Sequence, residues 1–225
     1  MKQYKSINIG NCICYETTDQ CPICKKAIAP IEKAHFKSSR KDKRYYLFEC
    51  PACGEGFISS YDESLNSVIR GNQEYQVLDY KESFPNIPVK RTFDDNINKL
   101  SKNFCDIYNQ ANLAEQYKLN EIAGMGYRKA LEFLIKDYCI HYHSKDAKKI
   151  KQENLSQVIN EYITSDKIKN SSKASAWIGN DEAHYLRKYE DKDVKDLKKF
   201  IETTVAYIHY ELTADEASEF INRND

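Results

Sequence analysis

Cys21-Pro22-Ile23-Cys24 and, 25 residues later, Cys50-Pro51-Ala52-Cys53-Gly54 are two copies of one device, and their reading decides how the first quarter of the chain folds. Two residues between ligands let a tight turn aim both thiolates at one ion. The proline presets that turn, and Gly54 can take the left-handed backbone conformation just past the second ligand. Four thiolates so arranged suit tetrahedral Zn2+ at about 2.3 Å, and a sulfur donor set argues against Mg2+ or Ca2+. Iron fits the same cage. All four positions come from protein, whereas a catalytic zinc keeps one open for water, so Cys21, Cys24, Cys50 and Cys53 are expected to hold a structural Zn2+. A ribbon this small cannot build a sufficient core by itself, and the metal would supply the folding energy.

Working outward, residues 45–49 enter the second knuckle and residues 56–61 leave it, both aromatic or β-branched enough to pair as a hairpin. A thioredoxin-like redox pair is the rival reading of Cys-x-x-Cys, but no βαβ pattern surrounds either copy. Cys12 and Cys14 are two apart, which on a strand puts them on one side, where they could begin a second site with His35. The alternative is that they are simply buried, as free cysteines often are. Cys105 and Cys139 sit alone in helical sequence and read as core.

The 225 residues are 41% hydrophobic with a mean hydropathy of -0.73. No apolar stretch approaches the roughly 20 residues that cross a bilayer, and the first ten residues lack the apolar run of a signal peptide. The expectation is a cytoplasmic protein without membrane contact, in a compartment where paired cysteines favour metal over disulfides. Net charge is zero, so no global field advertises a nucleic-acid partner. Residues 25–49, however, hold eight Lys or Arg against three acids. Arg40, Lys41, Lys43 and Arg44, interleaved with Phe36, Tyr45, Tyr46 and Phe48, are therefore candidates for contact with RNA or DNA through the ribbon. Solvated surface is the plainer reading of such a run, and of the acidic residues 211–225.

Three segments differ in texture. Residues 1–61 read as the zinc ribbon and residues 62–93, with Gly71, Pro85, Pro88 and no helical period, as an extended connector. Residues 94–225 read as an α-helical domain. The apolar spacing predicts helices over 94–117, 119–142, 155–163 and 167–177, and a last one from about 191 that repeats Val194, Leu197, Ile201, Val205, Ile208 and Leu212.

In the second of these helices Arg128 and Glu132 lie four apart on one face. Gly179-Asn180, read as a turn that caps a new helix, would place His184 one turn along on the side of Asn180. An Arg-x3-Glu helix followed by Gly-Asn-x3-His resembles the C-terminal domain of a bacterial and phage family related to the HEPN superfamily, whose members often carry an N-terminal zinc ribbon. The resemblance implies a mainly α protein, a HEPN-like helical bundle preceded by a small β zinc ribbon, that tends to form a homodimer. Many HEPN proteins are metal-independent ribonucleases in which an arginine binds the scissile phosphate and a histidine handles protons. Here Gly179 stands where that arginine would be, so only Arg128 could replace it. The expectation is thus a homodimeric binding or adaptor module in nucleic-acid-linked biology such as phage defence, with Arg128, Glu132, Asn180 and His184 forming a buried polar network. The alternatives are a ribonuclease using His184 with Arg128, and a purely structural protein-interaction module.

Overall fold

In the computed structural model, which describes residues 7–9, 12–14, 18–39, 42–70, 72–182 and 184–223, the chain divides into two compact units, Met1–Ile87 and Pro88–Asp225. The first unit is built on strands β1 (Ile7–Ile9), β2 (Cys12–Cys14), β3 (Ile31–Lys37), β4 (Lys43–Glu49), β5 (Gly56–Arg70) and β6 (Gln73–Phe84). They form one sheet in the order β1-β2-β6-β5-β4-β3. All neighbours are antiparallel except β2 and β6. Alternation along β4 shows why a sheet forms: Tyr46 and Phe48 are buried while Leu47 between them is exposed. Tyr46 and Phe48 join Phe57, Tyr61 and Leu78 in a small core that also includes Cys21 and Cys50. Tyr46 meets Tyr61 edge to face with centroids 5.4 Å apart and stacks on Phe48 at 6.0 Å.

Residues 62–93 are not the extended connector expected from the sequence. Most of that segment is β5 and β6, which pair from Ile58 opposite Phe84 to Arg70 opposite Gln73. The ribbon unit therefore extends well past Tyr61. Asp62, Glu63, Ser64, Asn66 and Ser67 hide the strand from a hydropathy reading, because such residues are satisfied across the ladder rather than by burial of apolar surface. Ser67 donates to Glu74, and Gln76 donates to Glu63.

The second unit contains α1 (Asp95–Leu100), α2 (Lys102–Gln116), α3 (Asn120–Tyr142), α4 (Ala147–Gln152), α5 (Leu155–Tyr162), α6 (Asp166–Asp181) and α7 (Val194–Asn222). Helical residues outnumber strand residues, so the protein is mainly α in this coarse sense. The helix expected over 94–117 breaks at Ser101, whose hydroxyl accepts from the Phe104 N–H and donates to Asp137. The last helix starts at Val194 because Asp193 and Asp196 close a capping box. Its stripe from Val194 to Leu212 is buried within this unit's own core, together with Leu131, Leu134, Ile135 and Ile159. Among the described residues no helix is long and apolar enough to cross a membrane.

Candidate metal centre

Each cysteine pair sits on a turn whose backbone is closed twice. In the first knuckle the Lys25 N–H donates to the Cys21 carbonyl at 3.0 Å and the Cys21 N–H to the Lys26 carbonyl at 3.0 Å. In the second the Gly54 N–H donates to the Cys50 carbonyl at 2.8 Å and the Cys50 N–H to the Glu55 carbonyl at 2.9 Å. Both turns need a left-handed residue just past the second cysteine: Gly54 has φ 76° and Lys25 has φ 61°. Glycine supplies that conformation freely, whereas Lys25 does so at a steric cost. The Gln20 side chain, donating to the Lys25 carbonyl at 2.8 Å, helps hold it. Nothing in the sequence around Lys25 announces this role.

The two turns bring four sulfurs together, all within 4.8 Å of one another. Cys21 Sγ lies 4.0 Å from Cys53 Sγ, and Cys24 Sγ lies 3.8 Å from Cys50 Sγ. A tetrahedron with metal–sulfur bonds of about 2.3 Å has edges of about 3.8 Å, whereas a disulfide would need about 2.05 Å. The four cysteines are thus positioned to hold a metal ion. Backbone N–H groups of Ile23, Cys24 and Ala52 point at Cys21 or Cys50 sulfur at 3.4 Å, which stabilises thiolate. Burial pushes the Cys50 thiol up, but the N–H groups of Ala52 and Cys53 and the neighbouring thiols outweigh it and bring it down to about 7. For Cys53 the Glu55 N–H acts downward, yet desolvation and the three neighbouring sulfurs drive it up to about 12. Four adjacent sulfurs cannot all ionise without a cation among them.

No family model matches this chain, and neither a curated protein nor a solved structure matches it.

The other candidate residues are placed as follows. On α3 and α6, the Arg128 Nε donates to Asn180 Oδ1 at 2.9 Å, and Arg128 stands 3.8 Å from Glu132. Burial lowers the Arg128 pKa, while Glu132 opposes that shift. Burial also pushes the Glu132 carboxyl up, but Lys136 at 2.9 Å outweighs it and holds it below its ordinary value. The expected turn at Gly179-Asn180 is not there: both residues lie inside α6. His184 falls beyond that helix, is exposed, and makes no side-chain hydrogen bond or ion pair among the described residues. The network thus joins three of the four residues and omits His184.

Of the basic candidates, Lys43 stands 3.6 Å from Asp62, and the Arg44 Nε donates to Glu63 at 2.8 Å. Arg40 and Lys41 lie outside the described residues. The side chains of Cys12 and Cys14 are likewise outside them, but the sheet order separates β2 from the strand of His35 by three intervening strands. That is four interstrand steps, about 19 Å, so these residues cannot share a metal. His35 instead bonds Glu32 at 2.8 Å. Cys105 and Cys139 are buried in the helical core, and burial pushes their thiols up to about 11 and about 12.

Proposed function

We propose that this protein is a binding module without catalysis, in which a structural Zn2+ folds the ribbon so that its sheet can engage single-stranded nucleic acid. The observation that carries the reading is the four-sulfur cluster at tetrahedral spacing, with every ligand position filled from the chain. Zinc is our reading over iron because a closed thiolate site that only folds the chain suits an ion without redox chemistry.

The nucleic-acid part rests on the sheet face opposite the small core. There Phe36 is 59% exposed and stacks on Tyr45 with centroids 5.0 Å apart, beside the exposed Leu47, Ile58 and Phe84. Exposed rings on a strand surface are platforms on which bases stack, at about 1–3 kcal/mol each. On this face Lys33 and Lys43 have acidic partners, and Lys37 and Arg44 lie on the other face, bonded to Glu63, so the face is aromatic first and basic second.

The helical unit we read as HEPN-like and non-catalytic. Support comes from the Arg128–Asn180 bond joining α3 to α6 and from Gly179 standing where a ribonuclease would place its arginine. A transferring phosphate needs a preorganised cation beside the proton-handling group, and loss of such a donor costs about a hundredfold or more in rate. Here Arg128 is bonded to Asn180 and His184 lies past the end of the helix.

The test is fluorescence-anisotropy binding to single-stranded RNA and DNA at several salt concentrations, with cleavage followed in EDTA. We expect binding that Phe36→Ala with Tyr45→Ala weakens tenfold or more, and no cleavage. Unchanged affinity in that double variant would move the contact elsewhere. Cleavage lost in both Arg128→Ala and His184→Ala would make the protein a nuclease.

A further inference from the structure

In the helical unit a tyrosine hydroxyl donates to a carboxylate in four places. Tyr108 donates to Glu202 at 2.9 Å, and Tyr127 to Glu115 at 2.5 Å. Tyr138 donates to Glu211 at 2.5 Å, and Tyr142 to Asp215 at 2.5 Å. In the first two places a cation completes the arrangement. Arg91 Nη1 stands 2.7 Å from Glu202, and Lys198 Nζ stands 2.9 Å from Glu115. At Glu211 and Asp215 no basic side chain among the described residues does so. The same device is therefore built twice with its cation and twice without.

The two places without a cation line one cavity. Tyr138, Tyr142, Tyr162, Tyr210, Glu211 and Asp215, with His143 also in the lining, border an open cavity of about 430 Å³, a volume within the range of small-molecule sites. Tyr138 and Tyr142 are one turn apart on α3, and Glu211 and Asp215 one turn apart on α7, so ring and carboxylate alternate around the space. Tyr138 is buried, which fixes the floor, while Tyr210 is 71% exposed at the mouth. Two carboxylates at i and i+4 repel each other unless a positive charge lies near both. Tyrosine faces attract cations as well.

We propose that this cavity binds an organic cation bearing primary ammonium groups, either a free aliphatic polyamine or the side chain of a lysine presented by a peptide. Phosphate-bearing ligands are disfavoured by the two carboxylates. A divalent metal is disfavoured because, among the described residues, only the four cysteines bring three or more ligand atoms together. Asp215 also lines an adjoining cavity of about 240 Å³ with Glu216, Glu219 and Lys99, so a ligand with a second ammonium group has further carboxylates within reach. The assignment is independent of what the ribbon binds.

The experiment is isothermal titration of the full chain with spermidine, with putrescine, and with a short lysine-containing peptide, using Mg2+ as the control for charge alone. We expect at least one amine ligand to bind, Glu211→Gln with Asp215→Asn to weaken it tenfold or more, and Tyr210→Ala to weaken it several-fold. Circular dichroism checks that the variants stay folded, and Tyr210→Ala, at an exposed position, keeps the test alive should the double variant not fold. Tighter binding of spermidine than of the peptide identifies the free amine as the source, and the reverse identifies a lysine side chain. No heat from any amine at millimolar concentration, equal affinity in wild type and all variants, or Mg2+ binding as tightly as spermidine would overturn the assignment.

Discussion

A Cβ added at Gly179 would stand 2.7 Å from Arg128 Cδ and 3.0 Å from Arg128 Cβ, so the arginine side chain lies directly across the glycine. The same close approach recurs where Gly126 meets Ala111 at 2.9 Å. Glycine is present at 179 because α3 packs there. Gly179→Ala should cost about 1–3 kcal/mol by overpacking, read as a shift in the denaturation midpoint of the helical unit. His184→Ala, at an exposed position with no side-chain partner among the described residues, should change stability by less than about 0.5 kcal/mol. A large loss in His184→Ala would restore the four-residue network expected from sequence. The clustering of the four cysteines was legible because a shared ion would impose a fixed spacing on both knuckles. The role of Gly179 was not, since it depends on which helix crosses it, and a single sequence records no crossing.

At the scale of elements, the break between α1 and α2 and the β5–β6 hairpin were both hidden by polar residues whose partners are local or across a strand. Ser101 caps α2 and bonds Asp137, whose carboxyl burial pushes above its ordinary value. Ser101→Ala removes both interactions and should cost about 1–2 kcal/mol, measured by chemical denaturation at neutral pH. No effect would mean that α1 and α2 are fixed by packing alone. In the hairpin, Glu63 is nearly buried and accepts from Lys37 Nζ and Arg44 Nε, each at 2.8 Å. The Lys37 bond is the main reason its carboxyl lies below the ordinary range, with Arg44 adding to it against an opposing effect of burial. Glu63→Gln should cost the ribbon about 1–3 kcal/mol, and an unchanged melting curve would show that the pair is only surface decoration. The α-helical period of residues 119–142 and 194–212 was readable from sequence because an apolar stripe at that spacing buries itself only as a helix. The middle of β5, where Leu65 is the one apolar residue among Asp62, Glu63, Ser64, Asn66 and Ser67, carries no apolar period, and Gly71-Asn72 between β5 and β6 is the turn signal that marks the hairpin.

For the whole molecule, two units with separate cores imply separate stabilities. The ribbon's core is small and includes Cys21 and Cys50 themselves, whereas the helical core has no cysteine of the cluster. A strong chelator should therefore abolish the ribbon's cooperative transition while leaving the helical circular-dichroism signal and its melting transition in place. Loss of both together would contradict the separation. On this reading one metal ion, held by four sulfurs, folds the ribbon. X-ray absorption at the zinc edge of the purified full chain, with metal content from elemental analysis, tests it most directly. We expect one zinc per chain with four sulfur neighbours at about 2.3 Å and no nitrogen or oxygen; metal-free folded protein, or a zinc with nitrogen or oxygen among its neighbours, would overturn the assignment.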